Sequence, residues 1–248
     1  MQDRNIKLTI AYDGRCYHGW QRQKKEVTIQ GVLENKIGMM VGHPVTLLGS
    51  GRTDAGVHAV GQVANFKTRS SISSEAFKRG LNSLLPDDIF IRDVKDVPAD
   101  FHSRYDAKSK TYEYRILLSK DMDPFRRYYV WHIPWPLDIE KMKKSLSFLA
   151  GTHDFSSFRS AGSNNTNPVR NMKLADLSLS QKEGILRLVF EANGFLRHMV
   201  RNIVGTVVDV GSGKISIDKF KAICKSGDRR MSGIKAPPQG LFLMKVRY

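Results

Sequence analysis

At 248 residues, with 41% hydrophobic and 26% charged side chains, the sequence has the composition of a folded globular protein, not of a disordered tail or a fibre. Forty Lys and Arg against 24 Asp and Glu leave a formal charge of +16, which favours a polyanionic partner, either nucleic acid or an anionic membrane surface. No apolar run approaches the roughly 20 residues of a spanning helix, so no membrane role is expected and nucleic acid leads.

The length allows one large domain or two smaller ones, and two α/β halves can be read, 1–104 and 105–248. In the first, Ile6, Leu8 and Ile10 alternate with Lys7 and Thr9 in an opening strand that ends at the Asp13-Gly14 turn. Thr28 has the character of an N-cap for a helix carrying Ile29, Val32, Leu33, Ile37 and Met40 on one face. A short strand near residues 45–48 runs into a glycine-rich loop, and residues 62–68 read as the strand leaving it. Ser73 or Ser74 caps a helix through residues 84–85, stopped by Pro86, and residues 89–94 form a further strand.

In the second half Tyr112, Tyr114 and Ile116 alternate along a strand, and Asp138 opens a helix that Gly151 closes. Residues 172–179 and 185–192 flank a turn at 181–184 and predict a hairpin. The 195–210 pattern predicts a helix with Met199, Ile203, Val207 and Val210 inward and Arg197 and Arg201 outward. Ser216 caps a last helix to about Lys225, and residues 241–246 close the chain as a strand. The halves have similar element orders without a residue-level repeat, and the Ser-, Asn- and Gly-rich stretch 159–171 reads as a loop or linker.

The most informative segment is the loop from Gly49 to His58. Three glycines in eight residues between two strands permit positive φ angles and close approach to a ligand. Arg52 stands two residues from Asp54, and a neighbouring cation favours an ionised aspartate able to act as nucleophile or base. The same pair also fits an ordinary tight turn stiffened by an ion pair. Other chemistries lack their residues. Gly211-Ser212-Gly213-Lys214 has neither the following hydroxyl nor the earlier glycine of a phosphate loop, and reads as a helix-ending turn. Neither the seven histidines nor Cys16 and Cys224, far apart as suits a reducing compartment, show metal-ligand spacing. A metal nuclease built on Asp54 and His58 would want a second carboxylate at useful spacing.

Nucleic-acid contacts have several candidates. Trp20 adjoins a basic run containing Arg22, and Phe101-His102-Ser103-Arg104 repeats that mixture of aromatic and basic side chains. Nine Lys or Arg and three acids lie between Phe195 and Lys235, Arg197 and Arg201 among them. Each such run alone is commonly a solvated face, and Tyr112 on its strand has the character of a core tyrosine; their number together with the charge favours an RNA or DNA surface.

These residues also carry a resemblance. Gly51-Arg52-Thr53-Asp54-Ala55-Gly56-Val57-His58, followed by Gly61-Gln62-Val63, resembles the signature of the tRNA pseudouridine synthase A (TruA) family. Tyr12-Asp13-Gly14 with Gly19-Trp20-Gln21-Arg22-Gln23, Asp100-Phe101-His102-Ser103-Arg104, Lys110-Thr111-Tyr112-Glu113-Tyr114, Asp154-Phe155-Ser156-Ser157-Phe158-Arg159, the stretch from Asn193 to Gly205 and Ala236-Pro237-Pro238-Gln239-Gly240-Leu241 resemble its other motifs, in order across nearly the whole chain. The resemblance implies an α/β (α+β) enzyme of two similar ferredoxin-like halves around a central cleft, a homodimer needing no cofactor or metal. It implies conversion of uridine to pseudouridine in the anticodon arm of tRNA, at positions 38, 39 and 40. It makes Asp54 the essential carboxylate, Tyr112 the ring that packs on the target base, Arg52 the side chain linked to opening the stem, and Arg201 the basic partner of the aspartate. Residues 121–127 and 160–168 have no distinctive family wording. The N-terminus has no apolar leader, which points to the cytoplasm; the glycosylation sequon Asn164-Asn165-Thr166 then has no meaning.

Overall fold

The computed structural model describes residues 3–160 and 167–248; the sequon and the centre of the 159–171 stretch lie outside them. The chain divides into two compact units, one of Met1–Lys108 with Phe242–Tyr248 and one of Ser109–Leu241.

In the first unit, β1 (Arg4–Tyr12) pairs antiparallel with both β3 (His58–Thr68) and β4 (Ile89–Val97), while β2 (Leu48–Gly49) adds to β3. The closing strand β10 (Leu241–Arg247) runs parallel to β3 through Phe242 and Leu243, so β3 is flanked on both sides and buried along most of its length. Ile6, Leu8 and Ile10 of β1 are fully buried, and Phe66 of β3 meets Phe77 of α2 (Ser74–Leu84) edge to face at 5.9 Å. Helix α1 (Ile29–Val41) begins where Thr28 Oγ1 accepts from Gly31 N, and α2 where Ser73 Oγ accepts from Ala76 N. The α1 face differs from the expected one. Ile29, Leu33 and Ile37 are buried, but Gln30 and Glu34 are buried with them while Val32 and Met40 are only partly covered. Both polar side chains are fully engaged in hydrogen bonds, which lets them occupy the inner face.

In the second unit the strand order is β5 (Ser109–Leu118), β9 (Ile185–Ala192), β8 (Val169–Ser180), β7 (Gly151–Asp154), all antiparallel neighbours, with β6 (Trp131–Ile133) parallel on β5. The β8–β9 hairpin turns at Gly184, whose φ is 64°. Helices α3 (Ile139–Ser147), α4 (Met199–Gly211) and α5 (Ile217–Ser226) pack on one another, with Asp138 and Ser216 capping α3 and α5 as their sequence positions predict. Three boundaries differ. Helix α3 stops at Ser147, and Gly151 instead opens the edge strand β7. Residues 169–171 of the expected loop belong to β8. Helix α4 starts four residues later than Phe195, after His198 in a left-handed conformation (φ 61°) that ends the helical pattern on its N-terminal side.

Candidate active site

The loop entered by β2 and left by β3 is held from below by the segment that follows β1. Trp20 N donates to Thr53 O at 3.1 Å, and the Tyr12 and Thr53 hydroxyls share a buried hydrogen bond of 2.8 Å. Burial pushes the Tyr12 phenol well up, so it remains a neutral hydroxyl. Gly19, at φ 84°, lets the chain pass beneath the loop: a Cβ there would stand 2.5 Å from Thr53 O. Gly49 is required for a different reason, since a Cβ would sit 2.5 Å from the indole nitrogen of Trp20. Of the loop's three glycines, Gly56 is the one at positive φ (75°), and Val57 N closes a turn onto Asp54 O at 3.2 Å. From the β3 side, Gln62 accepts from Ser50 Oγ (2.7 Å) and donates to Gly51 O (3.0 Å). Asp54, partly exposed, therefore sits on a backbone fixed on both flanks.

Arg52, on the same loop, is exposed and its Nε donates to Gln21 Oε1 at 3.0 Å, so Gln21 positions its guanidinium. His58 at the head of β3 is buried, stacked on Phe242 at 4.7 Å, with Nδ1 3.1 Å from Asp13 Oδ1 and 3.2 Å from Gly14 N. The sequence motif contained His58 and Asp13, but their pairing across two loops has no signature in spacing.

Arg22 is exposed on its loop, with Nη1 2.9 Å from the buried carboxylate of Glu34. Phe101 packs on Tyr248 at 5.0 Å, with Lys7 Nζ 5.5 Å from both rings. The ring of His102 lies 4.3 Å from that of Tyr105, and the exposed Arg104 guanidinium lies 5.7 Å from the same tyrosine ring. Buried Ser103 anchors this turn: its N donates to Asn65 Oδ1, its hydroxyl to Leu48 O, and its carbonyl accepts from Tyr248. Tyr105, 74% exposed, joins the candidate surface although its ring was not singled out by the sequence.

In the second unit, Tyr112 on β5 is 8% exposed and meets Phe195 edge to face at 5.0 Å. Its neighbour two positions on, Tyr114, donates its hydroxyl to Pro237 O at 2.7 Å, and burial pushes its phenol well up. Arg197 is exposed, in the segment before α4 rather than on the helix. Arg201 reverses the outward expectation: it is only 7% exposed, and its Nε donates to Ala236 O at 2.8 Å while Ala236 N donates back to Arg201 O. The cause is the 229–236 segment, which covers the polar side of α4. Gly205 admits it, since a Cβ there would lie 1.8 Å from Ile234 O, and Thr206 and Asn202 bond to Gly233 N and Arg229 Nη2. The arginine is thus held rigidly by backbone, a placement suited to a fixed positive charge.

Comparison with known proteins gives the family. A family model described as tRNA pseudouridine synthase matches residues 8–106 and 147–248. A protein of Thermoanaerobacter sp. (strain X514) named tRNA pseudouridine synthase A is 51% identical over 245 residues, 99% of this chain and 100% of the relative. Proteins of the same name from Acetivibrio thermocellus and Geobacillus sp. (strain WCH70) are 46% and 45% identical, covering 99% of this chain and 100% and 98% of their own lengths. Both the aspartate loop and the α4 segment lie inside the matched residues, and the chain belongs to the tRNA pseudouridine synthase family of enzymes.

Proposed function

We propose that the protein converts uridine to pseudouridine in the anticodon stem-loop of tRNA, at positions 38, 39 and 40, with Asp54 as the catalytic carboxylate. The observation that carries this reading is the bracing of residues 50–57 from both flanks, which fixes the backbone around a partly exposed aspartate. The reaction breaks the N1–C1′ bond, turns the uracil and joins C5 to C1′; C5 gives up its proton and N1 gains one, so no redox carrier is consumed. Asp54 supplies the negative charge that starts the exchange, and Arg201 the counter-charge. Tyr112 offers an aromatic face that retains the detached uracil while it turns. A stem uridine must leave its stack at a cost of a few kcal/mol, which insertion of Arg52 offsets. Arg22, Phe101, His102, Arg104 and Arg197 supply RNA contacts around this chemistry. The same reading makes the protein a cytoplasmic homodimer, which sedimentation tests directly: a particle of about 56 kDa, twice 28.1 kDa, is expected at micromolar concentration.

The deciding experiment measures tritium release from C5-labelled uridine in an unmodified tRNA transcript, with the site mapped by carbodiimide-blocked primer extension. Asp54→Asn should bind tRNA within about threefold of wild type and lose turnover by roughly 10³-fold or more. Turnover preserved in that variant would sink the aspartate assignment. Release with stops outside the anticodon arm would move the target, and tight binding with no release by wild type would leave an RNA-binding module only.

A further inference from the structure

Glu34 is a carboxylate on the inner face of α1, 7% exposed, and it has no part in the chemistry assigned to Asp54. Its Oε1 accepts from Gln30 Nε2 (3.0 Å) and from Leu47 N (2.9 Å), on the strand approach to the catalytic loop. Its Oε2 accepts from Arg22 Nη1 at 2.9 Å, while the Arg22 backbone N donates to Gln30 Oε1 at 2.9 Å. The Arg22 side chain is 63% exposed, so a surface guanidinium is fixed at one corner by a buried anion and turns its remaining N–H groups to solvent. An ordinary surface pair leaves both partners mobile; here the carboxylate cannot move, and the rotamer entropy of Arg22 is already lost before any ligand arrives.

Arg22 also forms one wall of a groove of about 390 Å³ whose other polar lining includes Gln23, Asn35 and Lys36, with Val27 and Val32 as apolar surface. The start of α1, at Thr28 and Gly31, borders the same groove, its first N–H groups already donated to Gly19 O, Trp20 O and Thr28. Its one acid, Glu26, lies 3.2 Å from His18 Nδ1. Two cations, two amides and an aliphatic strip match a sugar–phosphate backbone: donors for phosphate oxygens and a dry surface for ribose.

From this geometry we infer that the groove between residues 22–28 and α1 is a backbone-binding subsite for tRNA and that Glu34 is a positioning residue, holding Arg22 at a phosphate and coupling that subsite to Leu47. The inference rests on the tRNA reading above and adds to it a site away from the reacting base. Because Leu47 leads directly into β2 and the Asp54 loop, occupancy of the groove also braces the strand that carries the catalytic turn.

The test compares tRNA dissociation constants by filter binding, all in the Asp54→Asn background so that they are read without turnover. Arg22→Ala and Glu34→Gln should each weaken binding about fivefold, and the double variant no further than Arg22→Ala alone, because Glu34 acts through Arg22. Lys36→Ala, at the groove wall, should weaken binding about threefold and make the salt dependence shallower by close to one ion. In otherwise wild-type enzyme the loss for Arg22→Ala should fall mainly on KM for tRNA rather than on kcat. An additive loss for Glu34→Gln in the Arg22→Ala protein would overturn the positioning role, and unchanged affinity in both Arg22→Ala and Lys36→Ala would overturn the subsite. Failure of the pseudouridylation reading shows separately, as absence of tritium release by wild type.

Discussion

Gly19 occupies a position that no other residue fills without strain. Its φ of 84° disfavours any side chain, and a Cβ would press on Thr53 O at 2.5 Å and Asp54 C at 3.0 Å. Gly19→Ala is therefore expected to lower stability by about 2 kcal/mol in urea unfolding and to reduce kcat more than tRNA affinity, since the displaced backbone is that of the loop carrying Asp54, the proposed catalytic carboxylate. Equal losses in kcat and affinity would mean that the loop is not where the strain is relieved. At this scale the sequence was partly legible. Asp54, Arg52 and the glycines stood out because three glycines in a loop between two strands permit close approach to a ligand, although an ion-paired turn would carry the same pair. Glu34 did not, and Gln62 entered only as part of a resembled motif, because what a buried carboxylate or amide does is set by the distant backbone groups it satisfies. Arg201 was found by type and misplaced by direction: a charged side chain on a helix is assigned to solvent unless something else is known to cover that face.

Helix α4 shows what periodicity can and cannot report. All thirteen of its residues are buried, so its polar positions mark a second packing partner rather than a solvent-facing stripe. That partner is the 229–236 segment, admitted by Gly205 and tied down through Asn202, Thr206 and the reciprocal pair between Arg201 and Ala236. Gly205→Ala places a methyl group against Ile234 O with no flexible side chain to give way, so the covering segment must lift. The expected cost is about 3 kcal/mol in unfolding free energy. Lifting also removes the backbone clamp on Arg201, so under the proposed role of that arginine turnover at a temperature where the variant is fully folded should fall as well; a stability loss with unaltered kcat would count against that role. Helix starts were the most legible elements, since Thr28, Ser73, Asp138 and Ser216 each cap through a side chain three residues from its donor. The start of α4 has no such cap, and the short strands β6 and β7 carry no alternating pattern long enough to register.

For the molecule as a whole, the mixed α/β class was legible from strands interleaved with helices, whereas the return of residues 242–248 to the first unit was not. A final strand pairing with β3 through Phe242 and Leu243 leaves no local mark, because its partner lies some 180 residues earlier in the chain. Net charge acts at the same scale and over longer range. An excess of 16 positive charges on 248 residues attracts any RNA, whatever its sequence, and so sets encounter more than choice. If six or so of these cations meet phosphates in the complex, log affinity for tRNA should fall with log salt at a slope near −5, a loss of roughly 10³-fold between 50 and 200 mM. Exposed Arg197→Ala should make that slope shallower by about one while leaving the preference among tRNA uridines unchanged, because a phosphate contact positions RNA without reading its bases. Filter binding across a salt series, with primer extension on the same reactions, separates the two effects. A slope shallower than about −2 would mean that the charge excess serves something other than the tRNA backbone, and a changed site preference in Arg197→Ala would make that residue a reader of the loop rather than an anchor.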